Sequence, residues 1–394
     1  MKHSTHYRIE SIDLLRGVVM VIMALDHARM YFGMGYLFSD PTNLSTTTPL
    51  LFFTRWITHF CAPAFVFLAG TSAFLYGVRK KSKAVSWFLL TRGAWLLFVE
   101  LVIINFAWTF DITLSFHILQ VIWAIGMSML CLSALVFLPK QLIFIIGILL
   151  VAGHNLLDSI SMEGTTVTNL IWYALHQEKM IVLDSHSIIY LHYPLIPWIG
   201  LMALGYIFGM LYQEKFSAER RNKWLWWMGI GAVLLFVLLR TFNLYGDPSH
   251  WSPQHSFVFS IFSFVNTTKY PPSLLYILMT IGPSLVFLAL TEDIRNKAVS
   301  FFVTFGRVPF FFYVIHIYFI HLLAVVAIIY AGRSWSDCIL TAHSLITKSL
   351  EDYGFGLYVV YLIWFIVVAL LYPLCKWYNE YKATNRGKWW LRYL

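Results

Sequence analysis

Ten stretches of roughly 20 mostly apolar residues divide this chain, and each is long enough to cross the hydrocarbon core of a bilayer. They lie near 12–33, 57–78, 86–108, 117–138, 140–156, 188–212, 224–243, 271–291, 306–331 and 355–377. Only 12% of the 394 residues are charged, against about 25% in soluble domains. So little charge cannot cover a water-facing globule of this size. The expected fold is an all-α, polytopic integral membrane bundle of about ten transmembrane helices, forming one domain over 1–394.

Basic residues sort the loops. Nineteen Lys and Arg fall on the side of the N-terminus, among them Lys2, Arg8, Arg79, Lys80, Lys81 and Lys83, and five on the other. The positive-inside rule then places both termini in the cytoplasm. The net charge of +9 is thus topological, and no nucleic-acid partner is expected. The first span holds charges and lacks a small-residue cleavage site, so it reads as a retained helix. Segments near 165–183 and 337–350 read as short amphipathic helices on the outer surface. The tail 378–394, with "RGKWWLRYL", reads as an interfacial anchor to membrane lipids. The four cysteines form no CxxC pair, and His316 and His321 turn about 140° apart on a helix, so no metal is expected.

The first span, "SIDLLRGVVMVIMALDHARMYF", carries Asp13, Arg16, Asp26, His27 and Arg29. A charge near the bilayer centre costs roughly 3 kcal/mol even on the lenient insertion scale, so such residues are rare and point to function. Arg16 and His27 stand eleven residues apart, a net rotation of about 20° and a rise of roughly 16 Å. They share one face, and Asp13 can pair with Arg16. Two readings stay open on spacing alone. Arg16 is a cytoplasmic anion site with His27 as an external-side base, or Arg16 merely anchors the inner helix end.

Histidines carry a second signal. Apart from His3 and His6, all twelve others fall in the middle or outer halves of spans or in external loops. Arg29, Arg55, Arg240, Asn243 and Lys269 lie at the same level, so a polar chamber open to the outside is expected. Any single histidine could equally cap a helix end or bond a carbonyl.

The Arg16-to-His27 spacing after "IDLLRG" resembles the O-antigen acetylase type of membrane acyltransferase. The stretches "RIESIDLLRGVVMVIMALDH" and "HFCAPAFVFLAGTSAFL" are similar to bacterial membrane proteins grouped with heparan-α-glucosaminide N-acetyltransferase. The resemblance implies an acyl-CoA-dependent O- or N-acyltransferase of the bacterial inner membrane. Its donor would be cytoplasmic acetyl-CoA or another acyl-CoA, and its acceptor a sugar or glycan outside. The acetylase-type essential histidine maps to His27. The glucosaminide-type histidine precedes the second span, ahead of a WNG segment that this chain lacks, and the nearest histidine is His59.

Candidate catalytic residues are therefore His27, His59, Asp26 and Arg55, with a histidine as base or acyl carrier. Adjacent helix residues point about 100° apart, so Asp26 is expected to partner Arg55 or Arg29 rather than His27. Arg55, Thr58 and His59 are candidate oxyanion donors. Arg16, Arg79, Lys80 and Lys81 are candidate holders of the CoA phosphates, although such runs also read as positive-inside anchors. Rival readings are a transporter or channel, with the chamber as its path, and a non-enzymatic membrane subunit.

Overall fold

The fold is that of a computed structural model, described for residues 9–35, 40–184, 187–385 and 387–392. His3, His6, His186, Lys2, Arg8 and Arg386 lie outside these residues.

The first span is α1 (Glu10–Phe32), and the second is broken into α2 (Pro49–Trp56) and α3 (Cys61–Gly77) by a 3₁₀ turn at Ile57–Phe60. Helix α4 (Ser82–Phe98) continues through a π-helical segment, Val99–Ile104, into α5 (Asn105–Thr109). Strand β1 (Phe116–Leu119) leads into α6 (Val121–Leu135), followed by α7 (Lys140–Gly153) and α8 (Val167–Leu175). Strands β2 (Lys179–Asp184) and β3 (Ser187–Leu191) precede α9 (Ile196–Phe208) and α10 (Ala218–Thr241). Next come α11 (Phe257–Val265), α12 (Leu274–Thr291) and α13 (Lys297–Arg307). The chain closes with α14 (Pro309–Tyr330), α15 (Ala342–Thr347) and α16 (Leu357–Thr384). Side chains of Thr48, Ser217, Ser273 and Asn296 cap the first turns of α2, α10, α12 and α13. Pro309, in the first turn of α14, separates it from α13.

The fold is an all-α polytopic bundle. Seven described helices, counting α2–α3 and α4–α5 each as one, are long and apolar enough to cross a membrane. The shorter apolar helices α6 and α9 occupy two further expected spans. Helix α1 is 23 residues long but too charged for hydropathy alone to mark it.

The structure departs from expectation on the outer side. Strands β1, β3 and β2 form a small sheet in that order, with β1 parallel and β2 antiparallel to β3. The spans expected from 117 and 188 thus begin as strands, and the helix expected over 165–183 ends at Leu175. "FHIL", "KMIVLD" and "SIIYL" are short runs rich in β-branched or aromatic residues, which hydropathy does not distinguish from helix. The segment 337–350 is helical only in a 3₁₀ turn, Trp335–Cys338, and in α15. The tail from 378 first continues α16 as far as Thr384.

Helix α1 is central, packing on α3, α13, α14 and α16. A Cβ on Gly17 would lie 1.8 Å from the Phe302 carbonyl oxygen, and one on Gly306 would lie 1.7 Å from that of Asp13. The backbones of α1 and α13 therefore touch. Facing glycines recur between α3 and α9 (Gly70, Gly205) and between α10 and α12 (Gly229, Gly282). Lipid gives apolar side chains no reason to leave it, so membrane helices associate through such close contacts. Because α14 starts just after α13, the Gly17–Gly306 crossing also sets α14 against α1.

Gly17→Ala should force α1 and α13 apart and lower stability in detergent by about 1–3 kcal/mol, the usual range for overpacking. A Cβ on Gly231 meets nothing within 4 Å, so Gly231→Ala should be neutral or slightly stabilising. Thermal unfolding of the two variants side by side checks this, and equal melting would refute the close crossing.

Candidate active site

Three adjoining cavities run through the bundle beside α1. The one toward the N-terminal end of α1 (the inner cavity), about 310 Å³, is lined by Arg16, Arg92 and Arg307 and by apolar residues such as Phe65, Phe88, Ile125 and Phe310. The one toward the C-terminal end of α1 (the outer cavity), about 730 Å³, is lined by Asp26, Arg29, Arg55, His59, Trp108, Glu178, His192, Lys269 and Tyr270. A throat of about 40 Å³ lies between them. It shares Phe65, Val121 and Tyr313 with the inner cavity, and Asp26, His27, Gln120, Tyr193 and Lys269 with the outer.

His27 forms the wall of this throat. Its Nδ1 lies 2.7 Å from Nε2 of His316 on α14, and Nδ1 of His316 lies 2.9 Å from the Phe312 carbonyl oxygen. The edge of Trp108 closes on His27 at 4.8 Å between ring centroids. Trp108 is tied in turn to α1, because the Tyr31 hydroxyl donates to its carbonyl at 2.7 Å. Gln120 reaches the throat at the junction of β1 and α6. Its backbone N–H donates to Glu100 in the π-helical segment at 2.6 Å.

Asp26 does not touch the His27 ring. Its Oδ1 accepts from Arg29 Nε at 3.2 Å and Nη2 at 3.1 Å, and its Oδ2 accepts from Arg55 on α2. The carboxylate thus balances two guanidinium groups and ties α1 to α2. His59 lines the outer cavity but not the throat. Its ring lies against Tyr276, whose hydroxyl donates to the His59 carbonyl at 2.7 Å.

Near the N-terminal end of α1, Arg16 both ties helices together and lines a cavity. It pairs with Asp13 at 3.4 Å, bonds the Leu68 carbonyl and the Ser72 hydroxyl on α3, and still lines the inner cavity. Arg79, Lys80 and Lys81 do not line that cavity. Arg79 pairs with Glu214 at the surface at 2.9 Å. Lys80 covers the Tyr76 ring at 3.3 Å and lines a separate cavity, while Lys81 is exposed before α4. The cations that join Arg16 are Arg92 and Arg307. Arg92 interrupts the apolar run "FLLTRGAWLL", the signal that marked Arg16, so it was findable.

The outer-level histidines do not all converge. Among the described residues, His27, His59 and His192 line the outer cavity. His117 sits in β1, and His154 pairs edge-on with His176 elsewhere. His321 is buried between the carbonyls of Ala107 and Cys338. No cluster of three His, Cys, Asp or Glu among the described residues could hold a metal ion.

Tyr270 gives the outer cavity an acidic phenol. Burial alone would raise its pKa, but its neighbours His192, Lys269 and Arg55, with a hydrogen bond from Lys269, outweigh that and bring it down to about 7. Phenolate at that site therefore builds up as pH rises through neutrality.

The architecture is thus a polytopic helical bundle in which two cavities meet at a narrow waist beside His27. The family described as heparan-alpha-glucosaminide N-acetyltransferase, catalytic, matches residues 8–241, more than half of the chain. The chain belongs to this family of membrane acetyltransferases. No curated protein matches it.

The Tyr270 environment is open to a direct check. Tyrosinate difference absorbance should show one tyrosine titrating near pH 7, absent in Tyr270→Phe and moved upward in Lys269→Met. Ionisation of every tyrosine at ordinary alkaline pH would refute the cationic cradle.

Proposed function

We propose that the chain transfers a small acyl group from cytoplasmic acyl-CoA to a sugar or glycan acceptor at the outer face of a bacterial inner membrane. In this reading it crosses the bilayer ten times with both termini inside. The observation that carries the reading is the throat walled by His27, where the inner and outer cavities meet.

The inner cavity suits an acyl-CoA arm. Its apolar walls match the thioester chain, and its arginines match phosphates, which guanidinium groups bind by paired charge-assisted hydrogen bonds. The outer cavity mixes aromatic faces with Glu178, Asp40, Asn266 and Lys269, a lining suited to hydroxyl- and amine-bearing rings. The throat, about 40 Å³, is far smaller than the cavities on either side, which fits an acetyl group better than a long chain.

In the reaction, the thioester carbonyl enters the throat from within and the acceptor hydroxyl or amine enters from outside. His27 takes the acceptor's proton as the new bond to the carbonyl carbon forms. The carbon–sulfur bond then breaks, and the imidazolium returns the proton to the departing thiolate. Lys269 and Gln120, in the same wall, are positioned to stabilise the tetrahedral oxyanion. Since both substrates reach one point, the transfer needs no acyl-histidine intermediate.

Thiol release from acetyl-CoA with an amino sugar as acceptor tests the base. His27→Ala, shown to be folded and to bind CoA, should lose about 10²- to 10⁴-fold in turnover, the range for a positioned acid–base group. His59→Ala should lose less. If His59→Ala abolishes turnover and His27→Ala does not, the assignment moves to the second span.

Calorimetry with CoA tests the inner cavity. Binding should weaken in Arg16→Ala and Arg92→Ala and with added salt, which screens exposed phosphate contacts. Lys81→Ala should bind as the wild type does. Absence of CoA binding to the wild type would remove the donor.

A further inference from the structure

We propose that His316 is a positioning residue that fixes the tautomer of His27, so that Nε2 of His27 carries the free lone pair facing the throat. The inference rests on the base role proposed for His27.

The bond pattern assigns the protons. A carbonyl oxygen only accepts, so the contact between His316 Nδ1 and the Phe312 carbonyl puts a proton on Nδ1. The His316 side chain is fully buried, and its hydrogen-bond partners are the backbone of Phe312 and Tyr313 and the ring of His27, none of them a carboxylate. An unpaired imidazolium there would cost several kcal/mol of desolvation. His316 is therefore neutral, and its Nε2 is an acceptor. The donor in the 2.7 Å contact must then be Nδ1–H of His27, which leaves Nε2 of His27 unprotonated.

Geometry adds orientation to this. The two rings lie within 14° of parallel with centroids 5.0 Å apart, the separation expected when the two rings share an in-plane N···N bond. Trp108 blocks rotation from the side, at an interplanar angle of 77°. His316 thus occupies the place that the buried carboxylate holds in Ser-His-Asp sites, orienting the base through its far nitrogen. A neutral acceptor suits this depth, because a second carboxylate beside Asp26 would bring a further charge into the bilayer.

Two substitutions separate this role from plain packing. Gln places its Oε1 the same number of bonds from Cα as His316 Nε2, so His316→Gln restores an acceptor for His27. Asn can bond the Phe312 carbonyl but stops short of His27. In the acetyl-CoA assay, His316→Asn and His316→Leu should lower kcat about 10- to 100-fold, as loss of an orienting partner does, with KM for acetyl-CoA unchanged. His316→Gln should stay within a few-fold of wild type. Isotopic nitrogen NMR of histidine-labelled protein provides a readout independent of turnover. The resonances lost in His27→Gln should belong to a ring protonated at Nδ1 in the wild type, and to one mainly protonated at Nε2 in His316→Leu. The proposal is overturned if the wild-type ring is protonated at Nε2, or if His316→Gln is no better than His316→Asn. An active His27→Ala would overturn the functional reading as well. An inactive His27→Ala beside a fully active His316→Leu would overturn the dyad alone.

Discussion

The carboxylate of Asp26 is shared between Arg29 and Arg55, and the outer half of the site is organised around that shared charge. In hydrocarbon the backbone and every ionised group must be satisfied by protein. Breaking one partner out of a buried ion cluster typically costs 3–5 kcal/mol. Asp26 therefore holds α2 against α1 at a fixed depth, which leaves the 3₁₀ turn at Ile57–Phe60 to reset the chain before α3. Around this cluster the outer cavity also gathers Lys269, Asp40, Glu178 and Tyr270, so charges of both signs meet beside the throat.

A second constraint acts through backbone contact. Gly17 and Gly306 let α1 and α13 meet without side chains between them, and α14 follows directly. His27 lies ten residues beyond Gly17, and His316 ten residues beyond Gly306. Two helices that leave one crossing point in the same direction thus bring their histidines level. The 2.7 Å contact follows from that crossing, and any shift of α13 relative to α1 would be transmitted to the histidine pair.

Much of this was legible in the first span alone. Eleven residues of helix carry Arg16 into the inner cavity and His27 into the throat, and both placements come from helical period and hydropathy. The partner of His27 was not legible. His316 lies 289 residues away, and a lone histidine in an apolar helix gives no sign of what it will face. The basic run at 79–81 lies outside the inner cavity. Topology alone selects for lysine and arginine at an inner helix end, so a charge run there carries no information about ligands. The outer sheet was hidden because strands of four to six apolar residues look like the ends of helices when they abut one.

The size of the throat bears on which class of protein this architecture serves. A transporter must let its whole solute pass the narrowest point, and the walls there must part. Here those walls are His27, held by His316 and Trp108, and Asp26, held by two arginines on two helices. Opening them would strand buried charge, at a cost of kcal/mol. Acyl transfer asks for no such opening. In the proposed reaction the donor would stay in the inner cavity and the acceptor in the outer one, and only a carbonyl carbon would exchange its bond between them. A narrow, pre-positioned waist that would defeat a transporter is what such an exchange needs, since orientation of the reacting atoms contributes most where nothing has to move.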